Sequence, residues 1–257
     1  MIASSQIAMW EQEKTEIFVI TSLFSMLLSN SVVNGQEDPI DVQVFDVEKC
    51  FDALWLQECI NDLYEAGLNN DKLPPLFLEN RNAKIAVKTT TGMSKRETIH
   101  NIVMQGTVWG SLFCTTSMDK LGKLMYENEQ LLYKYKGVVD VPSLGMVDDI
   151  LSIQKCSGKA VEANAVINSF IEMKKLTLSE NKCKRIHVSK KTENSQKCPE
   201  LKVHNKNMKS ATQEKYLGDV VNTNGKIKHT IEDRKSRACA IVAEILILYY
   251  ALKWCTV

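Results

Sequence analysis

The chain has 257 residues, of which 44% are hydrophobic and 25% are charged, and its formal net charge is +1. These are ordinary values for a folded protein of one large or two small domains. They exclude a globally basic nucleic-acid-binding protein, so a surface for nucleic acid must be local. The eight cysteines form no C-x-x-C pair and have no nearby histidine at zinc spacing. We therefore expect an intracellular protein with reduced thiols, in the nucleus or the cytoplasm, and no structural zinc site.

The first predicted element is an apolar helix over residues 17–28, followed by a loop at 34–39. The helix is too short to span a bilayer, and acidic residues precede it where a signal peptide carries basic ones. We therefore expect no membrane association.

A buried strand is predicted over residues 42–47, because apolar residues occur there at both parities. Asp46 ends this strand, and residues 51–66 form an amphipathic helix that stops at Gly67. A carboxylate between a buried strand and a helix is a favoured place for chemistry. An ordinary helix-capping or turn aspartate would give the same pattern.

The middle of the chain is predicted to form a hairpin over residues 83–104 and a helix over 112–126. A glycine-punctuated loop, Gln105–Ser111, joins them. The glycines either mark the entry to the helix or allow the backbone to approach a ligand closely.

Two adjacent carboxylates, Asp148 and Asp149, lie at the tip of a predicted hairpin over residues 143–153. Like charges repel there, and a divalent cation is the natural countercharge. A solvated acidic turn is the alternative.

The remaining segments are predicted helices and strands joined by turns and loops. They are a helix over 159–175, a polar turn over 178–182, a strand over 184–188, a loop over 189–199, a strand over 216–221, a hairpin turn at Asn224–Gly225 and a helix over 231–252. This order predicts an α+β fold with an antiparallel sheet and helices on one face.

Five segments, in order, resemble the motifs of reverse transcriptases of the non-LTR (LINE-like) retrotransposon branch. Residues 46–52 (DVEKCFD) resemble D-x-x-K-x-F-D, Gln105-Gly106 resembles the start of Q-G-x-x-x-S-P, and residues 146–149 (MVDD) resemble the x-x-D-D box. Residues 178–182 resemble the fourth motif, and residues 215–218 (KYLG) resemble the primer-grip hairpin. The matches depart from the family at Met146, where aromatic residues are commoner, and at Gly110-Ser111, where Ser-Pro is usual.

The resemblance implies a polymerase palm that uses two Mg²⁺ ions, with Mn²⁺ as a substitute, held by Asp46, Asp148 and Asp149. It implies that Lys182 protonates the leaving pyrophosphate and that the ring of Phe51 lies beneath the sugar and rejects a 2′ hydroxyl. By the same resemblance, Gln105 and Gly106 would contact the incoming nucleotide and template. Its partners would be an RNA template, a DNA primer and dNTPs.

The resemblance also implies a primer grip at Tyr216, Leu217 and Gly218. It implies a fingers remnant over residues 1–40, a palm over 41–225 and the start of a thumb over 226–257. From it we expect incomplete fingers and thumb, as in a truncated reading frame of a mobile element, with missing fingers, thumb or endonuclease supplied from elsewhere. The alternative is a catalytically inactive relic that binds nucleic acid through local basic residues, namely Lys182, Lys184, Arg185, Lys190 and Lys191.

Overall fold

The computed structural model describes residues 40–100, 103–135, 139–141, 143–154, 157–188, 199–217, 219–223 and 228–254. The predicted helix at 17–28, the loops at 34–39 and 189–198, and the turn at Asn224–Gly225 lie outside these residues. The described chain divides into two compact units. The larger contains residues 40–185 and 199–210, and the smaller contains 186–188 and the described residues from 211 onward.

The described elements are helices and short strands. The helices are α1 (Cys50–Ala53), α2 (Leu56–Glu65), α3 (Leu73–Asn80), α4 (Val108–Glu127), α5 (Ser157–Met173) and α6 (Lys228–Trp254), with a 3₁₀ turn at Glu129–Leu131. The strands are β1 (Ile40–Asp46), β2 (Ala83–Ile85), β3 (Lys88–Thr89), β4 (Gly92–Met93), β5 (Glu97–Ile99), β6 (Tyr133–Tyr135), β7 (Val139–Val141), β8 (Leu144–Met146), β9 (Asp149–Gln154), β10 (Lys184–Val188), β11 (Lys202–Val203), β12 (Lys206–Asn207), β13 (Lys209–Ser210), β14 (Gln213–Tyr216) and β15 (Asp219–Asn222).

The main sheet has the strand order β13-β10-β1-β9-β8. Strand β1 is antiparallel to β9, β9 is antiparallel to β8, and β10 is parallel to β13. The remaining described strands pair as short two-stranded ribbons. The fold is therefore α+β with mainly antiparallel pairing, as the sequence predicts.

Strand β1 is the buried centre of this sheet, because apolar side chains cover both of its faces. Val42 and Val44 are buried on one face, and Phe45 is buried on the other, opposite Ile150 of β9. On the face of Phe45, Gln43 donates a hydrogen bond to the carbonyl of Ala160 in α5. This burial explains why β1 shows apolar residues at both parities rather than a simple alternation.

The helix predicted over residues 51–66 is interrupted in the structure. Leu54 and Trp55 are extended between α1 and α2, which leaves the Leu54 side chain in the core and Trp55 half exposed. Helix α2 then buries its predicted apolar stripe, and Gly67 follows its end with φ of +97°. The interruption lets both flanking helices bury apolar side chains, which one straight helix could not do.

Two predicted strands are wrong in position. For the hairpin at 83–104 the sequence predicts a second strand over residues 99–104, but the second strand is β5, which ends at Ile99. The segment 216–221 is not one strand, because the chain reverses between β14 and β15, and Leu217 has φ of +46°. Periodicity alone did not show this reversal.

The smaller unit joins the β14–β15 hairpin to helix α6. Thr230 near the start of α6 accepts a hydrogen bond from the amide of Val220, and Arg234 pairs with Asp219. The predicted helix at 231–252 is confirmed, with an earlier start. No helix in the described part of the chain is both long and apolar enough to cross a membrane.

Candidate active site

The acidic hairpin forms as predicted and meets the end of β1. Strands β8 and β9 are joined by a turn at Val147 and Asp148, and Asp149 lies directly opposite Asp46 in the antiparallel register. The pairing of β1 with β9 therefore brings together carboxylates that are about a hundred residues apart in sequence.

The turn that carries the acidic pair has a strained backbone. Val147 has φ of +57°, in the left-handed region that a β-branched residue rarely adopts. Residues in such conformations cluster at functional sites. They keep the conformation only where the surrounding structure restrains the backbone. Strand pairing on both sides of the turn provides that restraint.

Burial and mutual repulsion disfavour the charged forms of Asp148 and Asp149. Burial raises the pKa of Asp148, and the charge of Asp46 raises it further. Burial and the charges of Asp148 and Asp46 raise the pKa of Asp149 to about 6. Lys182 is a cation beside this pair, and its Nζ lies 3.0 and 3.2 Å from the two carboxylate oxygens of Asp46. The hydrogen bond with Asp46 raises the pKa of Lys182, so its side chain is held as a cation.

A short extended segment fixes the position of Lys182. The amide of Glu48 donates to the carbonyl of Thr177 at 2.8 Å, and the amide of Ser179 donates to the carbonyl of Asp46 at 2.9 Å. Leu178 lies opposite Val47 in this bridge. The turn that ends in Lys182 is therefore attached to the same strand that carries Asp46.

The Gln105–Gly106 loop leads directly into α4. Both residues are exposed, and Gly106 has φ of +80°, which a side chain would disfavour. Thr107 caps α4 by accepting a hydrogen bond from the amide of Gly110 and donates one to the carbonyl of Met104. A Cβ atom at Gly110 would lie 2.0 Å from that carbonyl oxygen. The departure from Ser-Pro at Gly110 therefore belongs to a tight helix entry that has no room for another residue type.

Helix α4 lies close to the acidic site. It packs against β8, and the charge of Asp148 contributes to raising the pKa of the buried Cys114 thiol. The Sγ atom of Cys114 lies 3.2 Å from that of Cys50 in α1. Phe51, beside Cys50, is partly buried against the hydrophobic core. The α1 and α4 segments, which carry or follow the residues that the sequence predicts to bind substrate, are thus packed together.

The remaining predicted site residues are in other surroundings. Tyr216 is buried in the smaller unit, Leu217 lies at its hairpin turn, and Gly218 is outside the described residues. Arg185, which the alternative function counts among the basic residues for nucleic acid, is not available to a phosphate. Its guanidinium is buried and hydrogen-bonds to Asp41 and to the carbonyl of Pro199.

The residues present suit a divalent cation, although they are not arranged around one. Within the described residues, no three His, Cys, Asp or Glu side chains stand in positions that could hold a metal ion. Asp46, Asp148 and Asp149 supply the hard oxygen ligands that Mg²⁺ prefers, and the Lys182 ammonium already lies on one of them. The carboxylate set therefore fits a cation once the side chains adjust.

Sequence reasoning missed a small hairpin, β11–β12, that contacts the Lys182 turn. Lys206 pairs with Glu180, and His204 contacts the backbone of Leu178. The sequence contains a signal for this turn. The pair His204-Asn205 separates the two short strands, and Asn commonly occupies such tight turns.

Residues 13–221 match the family described as reverse transcriptase (RNA-dependent DNA polymerase), and the chain belongs to that family. No curated protein matches the chain.

Solved telomerase structures share the fold. Apo telomerase from Candida tropicalis truncated from its C-terminal domain is 15% identical, with a TM-score of 0.53 over 80% of this chain and 38% of that one. Telomerase from Candida albicans in complex with a TWJ fragment of telomeric RNA is 14% identical, with a TM-score of 0.52 over 79% of this chain and 34% of that one. The chain thus spans little more than a third of either structure.

Proposed function

We infer that this chain is the RNA-directed DNA polymerase domain of a mobile element of the non-LTR retrotransposon type. It transfers deoxynucleotides from dNTPs to the 3′ hydroxyl of a DNA primer on an RNA template. The convergence of Asp46 with Asp148 and Asp149 carries this proposal. Membership of the reverse transcriptase family supports it.

Asp46, Asp148 and Asp149 would hold two Mg²⁺ ions, which Mn²⁺ can replace. Such ions activate the primer hydroxyl and stabilise the triphosphate and the leaving pyrophosphate. Lys182 is the proton donor to that pyrophosphate, since it is exposed, cationic and attached to the Asp46 strand. Its hydrogen bond with Asp46 must be given up as a cation takes its place.

Substrate selection falls to the residues around α1 and α4. Phe51 excludes a 2′ hydroxyl, and Gln105 and Gly106 contact the nucleotide and template. The left-handed Gly106 and the crowded Gly110 support this assignment, because a side chain would strain the backbone at the first position and clash with the Met104 carbonyl at the second. Tyr216, Leu217 and Gly218 form the primer grip.

The proposed domain layout is a fingers segment over residues 1–40, a palm over 41–225 and the start of a thumb over 226–257. An RNA template is supported by the Candida telomerase structure that is described as a complex with telomeric RNA. The protein is proposed to act inside the cell.

Nucleic-acid binding without polymerisation is the second candidate function. The ammonium of Lys182 pairs with the carboxylate of Asp46, and within the described residues no set of side chains is arranged to hold a cation. Binding of this kind would rest on lysines that contact phosphates, so it would weaken steeply as salt rises.

Primer extension decides between these functions. The purified chain is incubated with an RNA template, a DNA primer and dNTPs in Mg²⁺ and then in Mn²⁺. An Asp148→Ala/Asp149→Ala protein is run beside it, with Asp119→Ala, an exposed carboxylate on α4, as the control. Extension by the wild type and the control but not the double variant supports the polymerase. A folded wild type that binds primer–template in a salt-dependent manner without extension establishes the second function instead.

A further inference from the structure

We propose that His204 is a positioning residue for the turn that carries Lys182, acting from the β11–β12 hairpin through the backbone of Leu178. This inference rests on the proposed function, in which Lys182 acts on the leaving pyrophosphate. His204 itself touches neither the carboxylates nor any reacting atom.

The first step concerns the backbone of Leu178. Its neighbours Thr177 and Ser179 direct their hydrogen bonds to β1, through Glu48 and Asp46. In an extended segment, successive residues direct their N–H and C=O groups to opposite sides. The polar groups of Leu178 therefore face away from β1, and the Leu178 side chain is buried.

His204 lies on that opposite side. Its Nε2 atom is 3.3 Å from the amide nitrogen of Leu178 and 3.3 Å from its carbonyl oxygen. A protonated Nε2 donates to the carbonyl, and an unprotonated one accepts from the amide. In either tautomer one side chain satisfies a backbone group that β1 does not reach.

The hairpin that presents His204 is itself firmly held by α5. Asn168 accepts a hydrogen bond from the amide of His204 and donates one to the carbonyl of Lys202. Asn164, one helical turn earlier, accepts from the amide of Lys202. Val203 is buried in the hydrophobic core. The hairpin therefore gives His204 a rigid base.

The effect passes along the turn to Lys182. The carbonyl of Ser179, the residue after Leu178, accepts from the amides of Lys182 and Cys183 at 3.0 and 2.9 Å. Two further contacts, Lys206 with Glu180 and Lys209 with Asn181, are exposed. Exposed contacts of this kind restrain little. Among the contacts that the β11–β12 hairpin and β13 make with this turn in the described residues, the part-buried His204 contact therefore restrains it most.

The test compares His204→Leu with His204→Gln. His204 has φ of +54°, so both substitutions carry the same backbone strain. Only Gln keeps a donor and an acceptor that can reach Leu178. In single-nucleotide incorporation, we expect His204→Leu to lower kcat about ten- to a hundredfold with KM for dNTP within about twofold, since small misplacement of a catalytic group has effects of this order. His204→Gln should restore kcat to within about threefold of wild type.

The control is His100→Leu, which removes another imidazole, one that bonds Asn82 beside the β2–β5 hairpin. It should leave kcat unchanged. A kcat for His204→Leu equal to that of the control overturns the inference, as does an equal loss in His204→Leu and His204→Gln.

A second readout does not depend on polymerisation. Amide hydrogen exchange of residues 178–183 should be about tenfold faster in His204→Leu than in wild type, as expected where a local hydrogen bond is lost, and near wild type in His204→Gln. If wild type itself incorporates no nucleotide, the proposed polymerase activity fails, and the exchange comparison alone decides whether His204 positions the turn. Unchanged exchange in His204→Leu overturns the positioning role whatever the activity.

Discussion

Two clusters of charged side chains in the larger unit use the same residue types in opposite proportions. In one, Asp62 of α2 is buried and lies 2.5 Å from the Nζ atom of Lys120 and 2.7 Å from that of Lys174. The hydroxyl of Ser117 donates a third hydrogen bond to Asp62. In the other cluster, the ammonium of Lys182 pairs with Asp46, and its charge also acts on Asp148 and Asp149.

The pKa values of the two clusters move in opposite directions. Burial alone would raise the pKa of Asp62, but its hydrogen bonds with Lys120, Lys174 and Ser117 lower it overall. Burial and mutual repulsion raise the pKa values of Asp148 and Asp149. The ionised form of Asp62 thus stabilises the fold, whereas the ionised acidic pair destabilises it.

This difference in pKa distinguishes a cluster that stabilises the fold from one that suits a bound ligand. A buried carboxylate with two lysines and a hydroxyl is satisfied and needs no further partner. A half-buried group of carboxylates that repel one another lowers stability when ionised, and such local conflicts are expected where a ligand completes the site. The acidic hairpin is therefore the place where an external cation is expected.

The largest expected effect is on catalysis. We predict that Asp46→Asn lowers nucleotide incorporation by about a thousandfold or more, because metal-assisted stabilisation of the transition state amounts to several kcal/mol. The thermal stability of the variant should not fall, since Lys182 is exposed and returns to solvent. Primer extension and thermal unfolding of the same preparation measure both quantities. Unfolding of Asp46→Asn under conditions where wild type is folded would show that the acidic cluster is structural, like that of Asp62.

The reverse result is predicted for the Asp62 cluster. Asp62→Asn should destabilise the protein by about 3–5 kcal/mol, because it leaves the buried Lys174 without its countercharge and leaves Lys120 paired with the exposed Glu65 alone. Chemical denaturation measures the loss. The exposed Asp119→Asn, which breaks only a surface pair with Lys123, should change stability by less than about 1 kcal/mol. An Asp62→Asn protein as stable as Asp119→Asn would contradict the comparison.

Sequence reasoning succeeded where the signal was local. The hairpin with Asp148 and Asp149 at its tip follows from two apolar runs around a polar pair, and β1 follows from its apolar residues at both parities. The convergence with Asp46 was reached only as an expectation, because strand pairing across a hundred residues leaves no mark in local periodicity. Family motifs supplied that long-range information.

Sequence reasoning failed where tertiary contacts decide the local structure. The break at Leu54–Trp55 has no glycine or proline to announce it and follows from the need to bury Leu54. Arg185 resembled a basic surface residue, yet Asp41, far away in sequence, makes it a buried ion-pair partner. The Asp62 cluster likewise joins α2, α4 and the end of α5, and none of these segments alone predicts it.

The smallest expected effect concerns the charge on Asp149. Its pKa is raised from 3.8 to about 6, so the folded protein binds the proton more tightly than the unfolded chain. The resulting loss of stability is absent below about pH 4, grows between pH 4 and 6, and is complete above pH 6. In metal-free buffer at pH 7.5, Asp149→Asn should therefore be more stable than wild type by about 1 kcal/mol, a value reduced for solvent screening.

Two controls sharpen this last prediction. The advantage of Asp149→Asn should disappear near pH 4, where wild type is also neutral at this position. Added Mg²⁺ should stabilise wild type more than Asp149→Asn, because a ligand that binds only the folded state stabilises it by mass action. Thermal unfolding across pH, with and without Mg²⁺, gives both comparisons. A less stable Asp149→Asn at pH 7.5 would mean that the Asp149 carboxylate supports the fold, and the contrast with Asp62 would then be lost.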